Sequence, residues 1–218
     1  MPAITSEELK TRHRQVRDDQ PEGLRVRIHR AISWLARAER EPSDPDAAFI
    51  FLWIALNAAY AHEFGFEERE LVQIRRFIAV LVEHDRDQRL HAVLFRQFPG
   101  PIRTLIDNRF VYEPFWRALR EHDGSGRWEQ QFSDSREIAM RAVVEQRDEV
   151  LLHVILDRLY VLRNQLMHGG TTWDSSMNRA QLRDGVAILG TLVPVILALM
   201  VEMKDADLGQ EIFPALNV

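Results

Sequence analysis

The 218-residue sequence has no cysteine, which excludes a disulfide framework and thiolate metal sites. Lysine is nearly missing as well: Lys10 and Lys204 are the only two among 28 basic residues, leaving 26 arginines. A GC-rich codon supply explains that excess more cheaply than selection for phosphate binding, although arginine is the better bidentate phosphate ligand. The N-terminal stretch MPAITSEELKTRHRQVRDDQ lacks the apolar core that a secretory signal needs, so the cytoplasm is the expected compartment. Bulk positive charge is also lacking. The formal net charge is −5, and proteins that bind nucleic acid through their overall field are usually basic, so any such contact here has to be local. No phosphate loop, dinucleotide fingerprint or nucleophile elbow occurs, no cofactor is implied, and no repeat or low-complexity tract is found.

Strands are missing from the pattern too, because no alternating apolar run is bounded by turn residues. What remains is helical periodicity, so the expected fold is all-α and a single domain, with residues 1–20 as a charged segment before a helical domain over 21–218. A hydrophobic fraction of 46% beside 28% charged residues fits a soluble globular chain. Leu24, Ile28, Ile32 and Leu35 mark one amphipathic helix ending before Pro42. Asp44 as N-cap and Pro45 at the first helical position open a second, which is apolar nearly all round and runs to Gly65. Further helices are expected over 67–83 and 86–97, up to a breaker at the Pro-Gly-Pro of 99–101. A short helix follows near 114–121 and a flexible segment near 123–127. Helical pattern resumes near Ser135, breaks near Asp148 and continues to His168, and a last helix covers 176–204. The uncharged run from Gly185 to Val201 is short for a bilayer span and carries Gly190, Thr191 and Pro194. A buried or dimer-interface helix, kinked at Pro194, is therefore expected, and no membrane.

The stretch LYVLRNQLMHGGTTWD, residues 159–174, departs from plain packing. Leu151, Ile155, Leu159, Leu162 and Leu166 form one stripe. At about 100° per residue, Arg163 lies at the edge of that stripe, whereas Asn164 and His168 share another face. The Asn164 amide is then placed to hydrogen-bond the His168 imidazole and select its tautomer. Gly169 and Gly170 supply a left-handed helix end, leaving His168 where the helix dipole favours a cation. A proton-transferring imidazole and a fixed guanidinium are what metal-independent RNA cleavage requires. In an ideal helix the two directions differ by about 140°, so convergence needs a distorted last turn, an arginine that reaches around, or a second subunit. The same residues also fit a solvated, well-capped helix end.

The segment RLYVLRNQLMHGG, followed by a polar turn and a long final helix, resembles the HEPN superfamily of all-α domains, whose hallmark is R-x(4–6)-H at a helix end, often with a polar residue after the arginine. Arg163, Asn164 and His168 match that hallmark position by position. The apolar helix FIFLWIALNAAY resembles one found in some prokaryotic members. The resemblance implies a helical bundle with additional helices, a homodimer, no metal, and endoribonuclease activity in a defence or toxin role. An antitoxin or regulatory partner goes with such a role, and some members only bind RNA or a partner. Where members controlled by nucleotidyltransferase antitoxins extend the motif with a tyrosine, this chain has Gly170.

Arg158, Arg163, Arg179 and Arg183 stand against the single acid Asp174 within 158–183, so Arg158, Arg179 and Arg183 are candidates for binding RNA phosphates. A solvated surface with local ion pairs fits the same window, because Asp157 and Asp184 flank it. Asn57 is expected to be a hydrogen-bonded amide in its apolar helix. His84, Asp87 and His91 have ligand-like spacing, yet nothing supplies a fourth ligand, so a wet surface is expected there.

Overall fold

Helix-forming side chains at intervals of three and four bury one stripe each, and the computed structural model is built from such helices. It describes residues 4–60, 70–176, 179–204 and 208. Among these the fold is all-α, with ten α-helices and no strand. The chain divides into two compact units: residues up to Leu90 together with those from Val186 on, and residues His91–Gly185.

In the first unit, α1 (Ser6–Val16) begins at Thr5, whose side chain accepts from the Glu8 backbone N–H. The segment expected only to be charged is thus a helix, with Leu9 fully buried. α2 (Glu22–Ala38) buries Leu24, Ile28, Ala31, Ile32 and Leu35. α3 (Pro45–Tyr60) opens as expected: the Asp44 carboxylate accepts from the Ala47 N–H at 3.0 Å. Asn57 is a hydrogen-bonded amide, accepting from the Tyr60 hydroxyl at 2.5 Å. α4 (Glu70–His84) is described from Glu70, so the start expected at 67–69, like the end of the preceding helix at 61–65, lies outside the described residues.

In the second unit, the short α5 (Arg89–Ala92), which begins in the first, runs into a wider π-type turn over Val93–Gln97. The Pro-Gly-Pro at 99–101 does not break the chain's helicity. It is the first turn of α6 (Pro99–Asp107), because a missing N–H costs nothing where no intrahelical partner exists. A 3-10 turn at Arg109–Val111 leads to α7 (Glu113–Glu121). α8 (Arg127–Val144) starts earlier than the expected Ser135. Gln146, at φ 53°, turns the chain into α9 (Asp148–Met167), which packs against α6 and α8.

α10 (Arg179–Glu202) starts in the second unit and continues in the first, passing through Pro194 as one helix. It is the one described helix long and apolar enough to cross a bilayer, yet 72% of its apolar window is buried within the protein. Every residue from Leu192 to Val201 is buried. The Gln20 side-chain amide donates to the carbonyls of Met200, Val201 and Met203 at 3.2, 3.1 and 2.9 Å, which occupies acceptors that a helix end leaves open.

Candidate functional site

The end of α9 is built by its two glycines. Gly169 adopts φ +68°, the left-handed conformation that favours glycine. Its N–H donates to Leu166 at 3.3 Å, and that of Gly170 reaches back to Gln165 at 2.7 Å, the pair of bonds of a Schellman ending. A side chain at Gly170 would place its Cβ 3.1 Å from the Gln165 carbonyl oxygen, so the second glycine is favoured by close approach rather than by φ. The Gln165 side chain fastens this end of α9 to the preceding turn, donating to the Phe110 carbonyl at 2.7 Å. The Trp116 indole donates to the same oxygen at 2.8 Å.

His168 is the residue that closes the helix: its N–H donates to the Asn164 carbonyl at 3.0 Å, and it is exposed. Arg163 and Asn164 are half-buried. The Arg163 guanidinium donates to the Asn164 side-chain oxygen at 2.9 Å and lies 5.6 Å from the Tyr160 ring centroid. Successive residues point about 100° apart, so this bond draws the guanidinium toward the face that Asn164 shares with His168. The expected hydrogen bond between the Asn164 amide and the imidazole is not formed; the amide oxygen accepts from Arg163 instead.

The three phosphate-binding candidates separate. Arg158 is corrected: it is 3% exposed, its guanidinium sits 4.3 Å from the Tyr112 ring centroid and 5.4 Å from that of Phe132, and it donates to the Ser135 hydroxyl at 3.1 Å. Burial pulls its pKa down to about 10 against the opposing influence of Tyr112 and Asp157. It is a core cation. Arg179 is held locally, donating to the Ser175 carbonyl at 3.0 Å and pairing with Asp174 at 3.3 Å. Arg183 is exposed and has no ion-pair partner among the described residues. Trp173, in the polar turn after the motif, is 76% exposed; nothing in helical periodicity singles it out.

His84 donates from Nδ1 to the Val80 carbonyl at 2.8 Å, while His91 faces Asp148 at 2.9 Å. No group of three or more His, Asp or Glu side chains among the described residues is placed to hold a metal ion. Compared with protein-family models, curated proteins and solved structures, the chain matches none.

Proposed function

We propose that this protein is a metal-independent endoribonuclease of HEPN type, acting on RNA in the cytoplasm as a homodimer in a defence or toxin role, under an antitoxin or regulatory partner. The observation that carries the reading is the end of α9, where Arg163 is bonded to Asn164 and an exposed His168 follows one turn later. In the reaction, the 2′-hydroxyl of RNA gives up its proton and attacks the adjacent phosphorus. The bond to the 5′-oxygen breaks, that oxygen takes a proton, and a 2′,3′-cyclic phosphate remains. His168 moves the proton and Arg163 offsets the charge that grows on phosphorus oxygens. Arg183 contributes to holding the backbone.

The second reading, a non-catalytic RNA-binding or interaction module, is favoured by the same Arg163–Asn164 bond, which a purely structural arginine would also make. Cleavage of single-stranded RNA in EDTA separates the two. The protein should cut and leave a cyclic phosphate, and His168→Gln and Arg163→Lys should each lower turnover by about a hundredfold or more. Unchanged cleavage by both variants would end the ribonuclease assignment, as would activity that appears only with an added divalent ion.

A further inference from the structure

In the first unit, α1, α2 and their flanking residues line a groove of about 1160 Å³. Its charge runs against that of the chain. Seven lysine and arginine side chains face three carboxylates there, although the whole sequence is at −5; two of the seven, Arg25 and Arg37, pair with Glu22 and Glu41 beside the groove. The three carboxylates are already engaged: Glu7 lies 3.7 Å from Lys10, Asp18 lies 3.6 Å from Arg17, and Glu39 accepts from the Ser6 hydroxyl and backbone N–H. Arg14 and Arg40 are exposed and have no ion-pair partner among the described residues.

Two further features narrow the ligand. His13, only 5% exposed, lines the groove, and its Nε2 is buried with no hydrogen-bond partner of normal geometry. Trp34 also lines it, 39% exposed, with its indole stacked on Phe51 at 5.9 Å and 22°. Phe51 in turn carries the Arg37 guanidinium 4.5 Å from its centroid. The indole is therefore held as a fixed, partly open platform within a basic channel.

We propose that this groove binds single-stranded nucleic acid, its cations following the phosphates and Trp34 stacking on an unpaired base. Carboxylates alone would satisfy the cations but do not stack on the indole as an unpaired base does, and a duplex has no free base to stack. Phosphate neutralisation and stacking do not require the 2′-hydroxyl, so RNA and DNA strands both bind. The groove is lined by residues of the first unit between Ser6 and Arg40, and neither Arg163 nor His168 is among them.

The test is fluorescence anisotropy of the full chain with short labelled single strands of DNA and of 2′-O-methyl RNA, which the proposed cleavage cannot cut. Both should bind, and affinity should fall steeply with salt. In the double variant Arg14→Gln/Arg40→Gln the slope of log affinity against log salt should flatten by roughly 1.4, at about 0.7 for each phosphate no longer neutralised. Trp34→Ala should weaken binding about tenfold at unchanged slope, with Trp34→Phe recovering part, and thermal melts confirm that each variant folds. Absence of binding overturns the proposal. So does binding that these variants leave unchanged, or polyglutamate binding as tightly as either strand with no effect of Trp34→Ala, which would mark a surface for an acidic protein. Strand binding abolished by Arg163→Lys alone also overturns it while leaving the cleavage reading intact, and loss of the cleavage reading leaves the groove standing.

Discussion

Arg158 and Arg163 stand on the same helix and meet opposite environments. Arg158 follows Leu151 by seven residues and precedes Leu162 by four, which is the spacing of the buried stripe itself, so its position inside the core is readable from the pattern. Local charge in the 158–183 window points the other way, and periodicity is the stronger guide. The aliphatic stem and the flat guanidinium fill space against Tyr112 and Phe132. Arg158→Ala should therefore cost about 2–4 kcal/mol through the space it vacates. Arg158→Met, which keeps most of the volume and removes a buried charge, should cost less. Denaturant melts give both values, and RNA binding should be unaffected by either change. A fall in RNA affinity at full stability would return Arg158 to the phosphate-binding surface. Arg163, at the edge of the stripe, keeps enough freedom to bond Asn164.

At the scale of elements, the termini of helices carry most of the information that sequence alone leaves ambiguous. α1 escapes the periodicity rules although Thr5 and Glu8 stand at the spacing of a capping box, with Leu9 next to them. Its role becomes visible at the other end of the chain. Glu202, the last residue of α10, pairs with Arg12 at 2.6 Å and with Arg89. Burial pushes the Glu202 carboxyl up, but the hydrogen bonds and charges of Arg89 and Arg12 outweigh it and hold the group below the ordinary carboxylate range. A carboxyl depressed in the folded state contributes stability above its unfolded pKa of about 4.3 and loses it as pH falls through the folded value. Glu202→Gln should accordingly lower the melting temperature at pH 7, by the equivalent of about 0.5–1 kcal/mol after solvent screening. As pH falls below about 4.3 the gap should shrink, because the unfolded chain takes up the proton first and the folded carboxyl follows at lower pH. An equal loss above and below that pH would show that the interaction is steric rather than electrostatic.

For the molecule as a whole, the fate of α10 constrains how two chains would meet. Its apolar residues from Leu192 to Val201 are buried inside the chain, so of the two roles the sequence pattern allows, buried or dimer-interface helix, this stretch takes the first. The exposed apolar side chains lie elsewhere, among them Leu119, Ile138 and Val144 on α7 and α8. Whether the proposed site is shared between chains is decided by mixing two inactive variants. When Arg163→Lys and His168→Gln are refolded together, a site that takes its arginine and histidine from different chains should regain roughly a quarter of wild-type cleavage, since half the dimers are mixed and each has one complete site. A site contained in one chain regains nothing. Sedimentation at micromolar concentration provides the companion measurement, and a monomer there would remove the shared site.

Sequence by itself determined the all-α class, most helix positions, the Asp44–Pro45 start and the glycine ending after His168, because each follows from local rules of periodicity, capping and φ that no distant residue overrides. It also placed Arg163, Asn164 and His168 at one helix end. Only tertiary structure decided which aromatic rings enclose Arg158, that Gln165 is tied to the turn at Phe110, and that Glu202 pairs with Arg12 and Arg89. Those outcomes depend on elements far apart in the chain coming together: a half-polar surface helix and a buried one differ little in sequence until the helix that covers them is in place.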